Sequence, residues 1–175
     1  VLEPDPRYRG QYRLDAYSKA SRLSFFLWNS APDIQLLESA QNGNLDSQKG
    51  VARQAARMIA SPRLEDGMRA FFSDMLEFED IRSLSKDGTV FPRFSRSVMR
   101  DAEEQTLHTI TDHLLVRNGD YRDLFTTRHT FMTRDLGIIY RVPVAVEEGW
   151  EPYVFTEEDG RAGLITQISF LALHG

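Results

Sequence analysis

Leu64-Glu65-Asp66-Gly67-Met68-Arg69-Ala70-Phe71-Phe72-Ser73-Asp74-Met75-Leu76 is the stretch that decides the fold class. Its large apolar residues recur every three or four positions. Leu64, Met68, Phe71, Phe72, Met75 and Leu76 therefore share one face of a helix, with Asp66, Arg69, Ser73 and Asp74 outside it. Ser61-Pro62 supplies the start, with serine as the cap, proline at the first helical position and Glu65 near capping-box distance.

Toward the amino terminus the same period returns. Asp15 is a good cap, and Ala16, Ala20, Leu23 and Leu27 fall on one face behind it. Phe25, Phe26 and Trp28 widen that face, so this helix is expected to be buried on most sides. Asn29-Ser30 closes it. Pro32 permits a short helix over Asp33 to Ser39, and after the Gly43-Asn44 turn another runs from Asp46 with Val51, Ala55, Met58 and Ile59 inward. The first dozen residues, with Pro4, Pro6 and Gly10, read as an extended lead-in.

Toward the carboxyl terminus, residues 82–92 read as a loop, and a long helix spans Ser95 to Arg117, stopped by Asn118-Gly119. Short helices follow near Asp120 to Phe125 and Thr133 to Tyr140. A stretch with Pro143, Gly149 and Pro152 then reads as a long loop. A last helix from Gly160 turns Leu164, Ile165, Ile168 and Leu171 inward. The expected fold class is all-α, an irregular bundle of about seven or eight helices with a long acidic loop before the last one.

Composition narrows the function. Hydrophobic residues make up 41% and charged residues 27%, the balance of an ordinary globular chain. No window is apolar enough to span a bilayer, and no signal-peptide pattern opens the chain. A first residue of Val, and an apolar helix at the very end, lead us to expect a segment of a longer polypeptide. There is no cysteine, which removes disulfides, thiolate zinc sites, a thiol nucleophile and covalent haem attachment. The net charge is −5, and Glu147, Glu148, Glu151, Glu157, Glu158 and Asp159 carry it; no basic stripe suits nucleic acid.

The residues that carry chemistry each have an ordinary alternative. Glu104, His108 and Asp112, four apart, share a face of the long helix, where a Glu and a His one turn apart can ligate a metal. Neither the paired Glu-x-x-His of di-iron bundles nor H-E-x-x-H appears, so no metal site is assigned. An exposed face of polar pairs explains the spacing equally well. Asp101, Glu103 and Glu104, preceded by Arg96 and Arg100, offer an acid and a base for hydrolysis, or simply a solvated face. No G-x-S-x-G, P-loop or G-x-G-x-x-G occurs. Trp150, Tyr153 and Phe155 lie among the carboxylates of the acidic stretch. They suit a polysaccharide-binding surface, or they pin the loop to its neighbours. Arg22 interrupts an apolar helix, so it marks either a cleft or a buried ion pair. Arg22, Glu104, His108 and Trp150 are the candidate cleft residues.

Several stretches resemble a known family. Arg13-Leu14-Asp15-x-Tyr17 followed by Ala20-Ser21-Arg22-Leu23-Ser24-Phe25-Phe26-Leu27-Trp28 resembles the opening of a domain of unknown function found in large planctomycete-type cytochrome proteins. Ser61-Pro62-Arg63 matches its helix start. Thr130-Phe131, Leu136 and Tyr140-x-Val142-Pro143 match its close, with His129 and Arg141 where the family has Tyr and Gly. Arg161-Ala162-Gly163-Leu164-Ile165-Thr166-Gln167 looks like the start of the next domain in such proteins, and Val1 to Pro6 like the tail of the preceding one. The resemblance implies a lead-in at 1–12, the helical domain at 13–143, an acidic aromatic loop at 144–159 and the first helix of a following domain at 160–175. It also implies an exported, periplasmic or extracellular setting. Haem c would lie elsewhere in the parent chain, and the partners would be other domains of the same polypeptide. The resulting expectation is a structural or interaction domain of a cytochrome-like redox protein, not catalytic by itself. The alternatives are a polysaccharide-binding module using Trp150, Tyr153 and Phe155, and a hydrolase using Asp101, Glu103 and Glu104.

Overall fold

The structure, a computed structural model, describes residues 2–4 and 9–175, without the side chain of Arg82. The rest of the lead-in lies outside the described residues. The chain falls into two compact units, residues 1–70 and 71–175.

In the first unit, β1 (Leu2–Pro4) pairs antiparallel with β2 (Tyr12–Leu14), Glu3 opposite Arg13. Three helices follow, and each start is written in its capping side chain. Asp15 accepts from the Ser18 N–H at 2.8 Å and opens α1 (Ala16–Trp28). Asp33 accepts from the Leu36 N–H at 2.9 Å and opens α2 (Ile34–Gln41). Ser47 accepts from the Gly50 N–H at 3.0 Å and opens α3 (Gln48–Ile59), after a 3-10 turn at Asn44–Asp46. Each cap satisfies a donor that has no partner within its helix, a gain of about 1 kcal/mol. Asn29, at φ 49°, ends α1 in the left-handed region that asparagine tolerates.

The helices enclose Ala20, Trp28, Leu36, Ala40, Leu45 and Met58. Of α1 only Ala20, Ser24 and Trp28 are buried, one narrow stripe at a spacing of four, while Phe25 and Phe26 are 57% and 73% exposed. Burial of α1 on most sides is therefore not found. Two small residues bring the neighbouring helices close along that stripe and leave the phenylalanines outside it. Gly67 in α4 (Leu64–Met75) serves the same close packing: a Cβ there would sit 2.0 Å from the Leu27 carbonyl oxygen.

In the second unit, α5 (Arg96–Thr111) is the central element. It widens into a π turn over Asp112–Val116 and ends where Asn118 turns left-handed at φ 52°. Around α5 pack a 3-10 turn at Phe78–Arg82, β3 (His129–Met132), α6 (Arg134–Tyr140) and α7 (Ile168–His174). Strand β3 pairs antiparallel with β4 (Glu151–Val154), Thr130 opposite Tyr153 and Met132 opposite Glu151.

The all-α expectation is therefore corrected. Seven α-helices stand among the described residues, together with two small antiparallel sheets, so the fold is mixed. The stretch read as a long acidic loop contains β4. Strands of three or four residues are too short to show alternation, and α6 separates β3 from its partner, so no hairpin turn announces the pairing. At the end of the chain, a 3-10 turn at Leu164–Thr166 and the short α7 replace the single helix expected from Gly160. Leu164 is buried, whereas Ile165 and Leu171 are about half exposed rather than inward. Gly163, at φ +72° and with its Cβ position 2.1 Å from the Phe125 carbonyl oxygen, precedes the 3-10 turn, and the extended Gln167, at ψ 151°, separates that turn from α7.

Of the apolar face that decided the class, Phe72 is 4% exposed, but Phe71 and Met75 are 55% and 43% exposed. Periodicity identified the helix correctly without saying how much of its face a neighbour would cover.

Candidate functional site

The polar chemistry of the second unit begins inside α5. Gln105, Thr106 and Thr109 are buried there, beside Ala102 and Ile110. Buried polar groups need partners, and the surrounding elements supply them. Gln105 Nε2 donates to the Phe131 carbonyl at 2.8 Å, and its Oε1 accepts from the Tyr140 hydroxyl at 2.8 Å. The Tyr140 oxygen in turn accepts from the Ile168 N–H at 2.9 Å, at the first residue of α7. Gln167 Nε2 donates to Thr130 Oγ1 at 3.3 Å, and Thr130 Oγ1 lies 3.0 Å from Thr109 Oγ1, which donates to the Gln105 carbonyl at 2.7 Å. Thr106 donates to Gln167 Oε1 at 2.5 Å and lies 2.6 Å from the Ser169 hydroxyl. The bonds run in one consistent direction and tie α5 to β3, α6 and α7.

Tyr140 is the centre of this network. Its ring packs 5.4 Å from Phe155, and the Arg161 guanidinium lies 5.0 Å from the ring centre. Burial pushes its hydroxyl up to about 12, against the opposing pull of the Ile168 N–H and Arg161. At neutral pH this hydroxyl is a fixed donor, not an acid or a base.

The expected site residues are placed as follows. Arg22 lies in the first unit, exposed on α1, so its charge is solvated and not buried. Glu104 and His108 stand one turn apart on α5. The His108 ring stacks flat on Phe131, centroids 3.6 Å apart, and meets the edge of Trp150 at 6.1 Å. His108, Phe131 and Trp150 thus form one aromatic cluster. Asp101 accepts from the Thr133 hydroxyl at 2.9 Å, and that hydroxyl also caps α6. Glu103 and Glu104 line a cleft of about 470 Å³ with Arg96, Arg100 and the apolar Ile81 and Phe94.

Two carboxylates of the acidic stretch are held by its own backbone. Glu151 accepts from the Ala145 and Val146 N–H groups at 3.0–3.1 Å, and Asp159 accepts from the N–H and hydroxyl of Thr156. Glu157 pairs with Arg128 at 3.3 Å. Tyr153 and Phe155 point to the same side of the β4 line, but Phe155 is only 4% exposed and offers no face to a ligand. Among the described residues no group of three or more His, Cys, Asp or Glu side chains is arranged to hold a metal ion. No helix among them is long and apolar enough to cross a membrane.

A second cleft, of about 530 Å³, lies between the 86–94 segment, α5, α6 and α7. Sequence reading missed both this cleft and the buried network. Gln105, Thr106 and Thr109 did occupy inward positions of α5 by spacing, and polar residues there were the available signal. The cleft had none, because its walls come from four separate stretches.

Fold and site together define a helical domain with two small sheets and a polar, self-satisfied core in its second unit. The family model PSD4, a protein of unknown function (DUF1592), matches residues 14–142, and the chain belongs to that family. None of the curated proteins and none of the solved structures compared with the chain matches it.

Proposed function

We propose that this chain is a structural and interaction domain of a multidomain, exported, cytochrome-like redox protein. It would support a haem domain or a substrate cleft located elsewhere in the same polypeptide. The observation that carries the reading is the network around Tyr140: the polar side chains best placed for chemistry in the second unit hold its own helices together. A catalytic centre leaves polar groups aimed at a ligand, whereas these are directed at one another.

The redox part rests on the Arg13–Trp28 motif and its resemblance to cytochrome-associated domains. Without cysteine, this chain makes no thioether bond to haem, so any haem c attaches to another part of the parent. Such a protein works in the periplasm or outside the cell, where its partners are its own neighbouring domains.

The test is an absorption spectrum of the intact parent protein from its native source, oxidised and then reduced with dithionite. A Soret band that shifts on reduction is expected. A featureless spectrum from pure, full-length parent would refute the redox reading and leave a helical scaffold.

A further inference from the structure

The 530 Å³ cleft has a composition that matches one chemical class. Its apolar lining includes Phe91, Val98, Ile138 and Leu171. Three of these are substantially open to solvent, Phe91 at 51%, Ile138 at 43% and Leu171 at 46%. Its charged lining residues are Lys86, Arg93 and Arg141, all cations. None of the three takes part in an ion pair among the described residues. The adjoining depression, about 220 Å³, shares Arg93, Val98 and Ile138 and adds one carboxylate, Asp135.

On a chain of net charge −5, the charged side chains that line this apolar trough are all basic. Apolar surface left open loses roughly 25 cal/mol per Å² relative to burial, and a low-dielectric wall strengthens the field of the cations above it. The volume lies within the roughly 300–1,000 Å³ of small-molecule sites, which combine apolar walls with a few placed polar groups. An apolar tail would cover the apolar lining, and an anionic head would meet the cations. Arg141 is the left-handed residue, φ 60°, that ends α6, and it lines the cleft.

We infer that this cleft binds a free single-chain amphiphile with an anionic head, of the fatty-acid class, with the tail against Ile138 and Leu171 and the head between Lys86, Arg93 and Arg141.

The test is isothermal titration of the 175-residue chain with dodecanoate and, separately, with dodecyltrimethylammonium, which keeps the tail and reverses the head. Saturable binding of dodecanoate, at least tenfold tighter than the cation, is expected. The double change Lys86→Glu, Arg93→Glu, at a half-buried and an exposed position, should weaken dodecanoate at least tenfold while leaving the far-ultraviolet circular dichroism unchanged. Ile138→Asp should do the same from the tail side. The inference is overturned by equal binding of the two head groups, or by binding that neither variant weakens. Failure of dodecanoate to bind overturns it too, including the case in which the chain binds phosphatidylglycerol vesicles instead. These outcomes do not depend on haem, so they stand or fall separately from the redox reading.

Discussion

Replacing Tyr140 by Phe removes one oxygen and leaves the ring, so it isolates the hydrogen bonds that hold α6 and α7 to α5. Two partners lose out. Gln105 Oε1 is fully buried, and the tyrosine hydroxyl is the donor that satisfies it at 2.8 Å. A buried acceptor left without its donor costs about 1–3 kcal/mol. The Ile168 N–H, at the start of α7, loses its acceptor at 2.9 Å. It is one of the donors a helix start cannot satisfy internally, but Ile168 is only partly buried, so water can replace much of the bond at a cost of up to about 1 kcal/mol. Packing on Phe155 and the Arg161 contact with the ring are retained. The sum is about 1–4 kcal/mol. For a chain of this size that lowers Tm by roughly 2–16 °C. Urea unfolding gives the free energy, and amide hydrogen exchange on the α5 and α7 peptides locates it. Pairing the change with Gln105→Met should cost less than the two single changes added, because the stranded acceptor is then gone. A loss below about 0.5 kcal/mol for Tyr140→Phe, or strict additivity in the double variant, would refute the claim that the network holds the unit together.

The same residue fixes a pH dependence. The folded hydroxyl titrates at about 12 against an ordinary value of 10.0. Between these values the folded chain keeps a proton that the unfolded chain has released, so stability must fall as pH rises. The contribution is complete below pH 10 and lost as pH passes through about 12, a difference of roughly 2–3 kcal/mol. Tyr140→Phe should remove this alkaline slope.

Three further outcomes follow from the first unit and from α5. Asp33 is held below the usual carboxylate range, chiefly by the Arg57 guanidinium that grips it at 2.7 and 2.9 Å and also by the Leu36 N–H, with burial opposing. Its stabilisation is present above the ordinary value of 3.8 and lost as pH falls through the depressed one, so Asp33→Ala should cost about 1.5–3 kcal/mol at neutral pH and flatten the acid limb of the stability curve. Gly67→Ala should destabilise by about 2 kcal/mol or more, read by thermal melting, because the new methyl would meet backbone, not a flexible side chain, at 2.0 Å. Asp101→Ala should cost about 1 kcal/mol and Asp101→Asn much less, since the carboxamide oxygen still accepts from Thr133. Equal losses in the two would show that charge, not the hydrogen bond, is what Asp101 supplies.

The sequence alone determined the helices whose ends are set by local chemistry. Asp15, Asp33, Ser47 and Ser95 each cap the helix that follows them, and Asn29 and Asn118 each end one, because capping and left-handed turns depend on residues within one turn of each other. The tertiary structure decided everything that needs distant residues to meet. The β3–β4 sheet joins positions about twenty apart across a helix, so no local period records it. Phe25, Phe26, Phe71 and Met75 look like core by type and are exposed, because burial depends on which neighbour covers a face and how closely small residues let it approach. His108 and Trp150, read as separate cleft candidates, proved to be one aromatic cluster with Phe131. Gln105 and Tyr140 became partners only when α6 and α7 closed on α5, and a hydrogen bond between side chains 35 residues apart leaves no pattern in a single sequence.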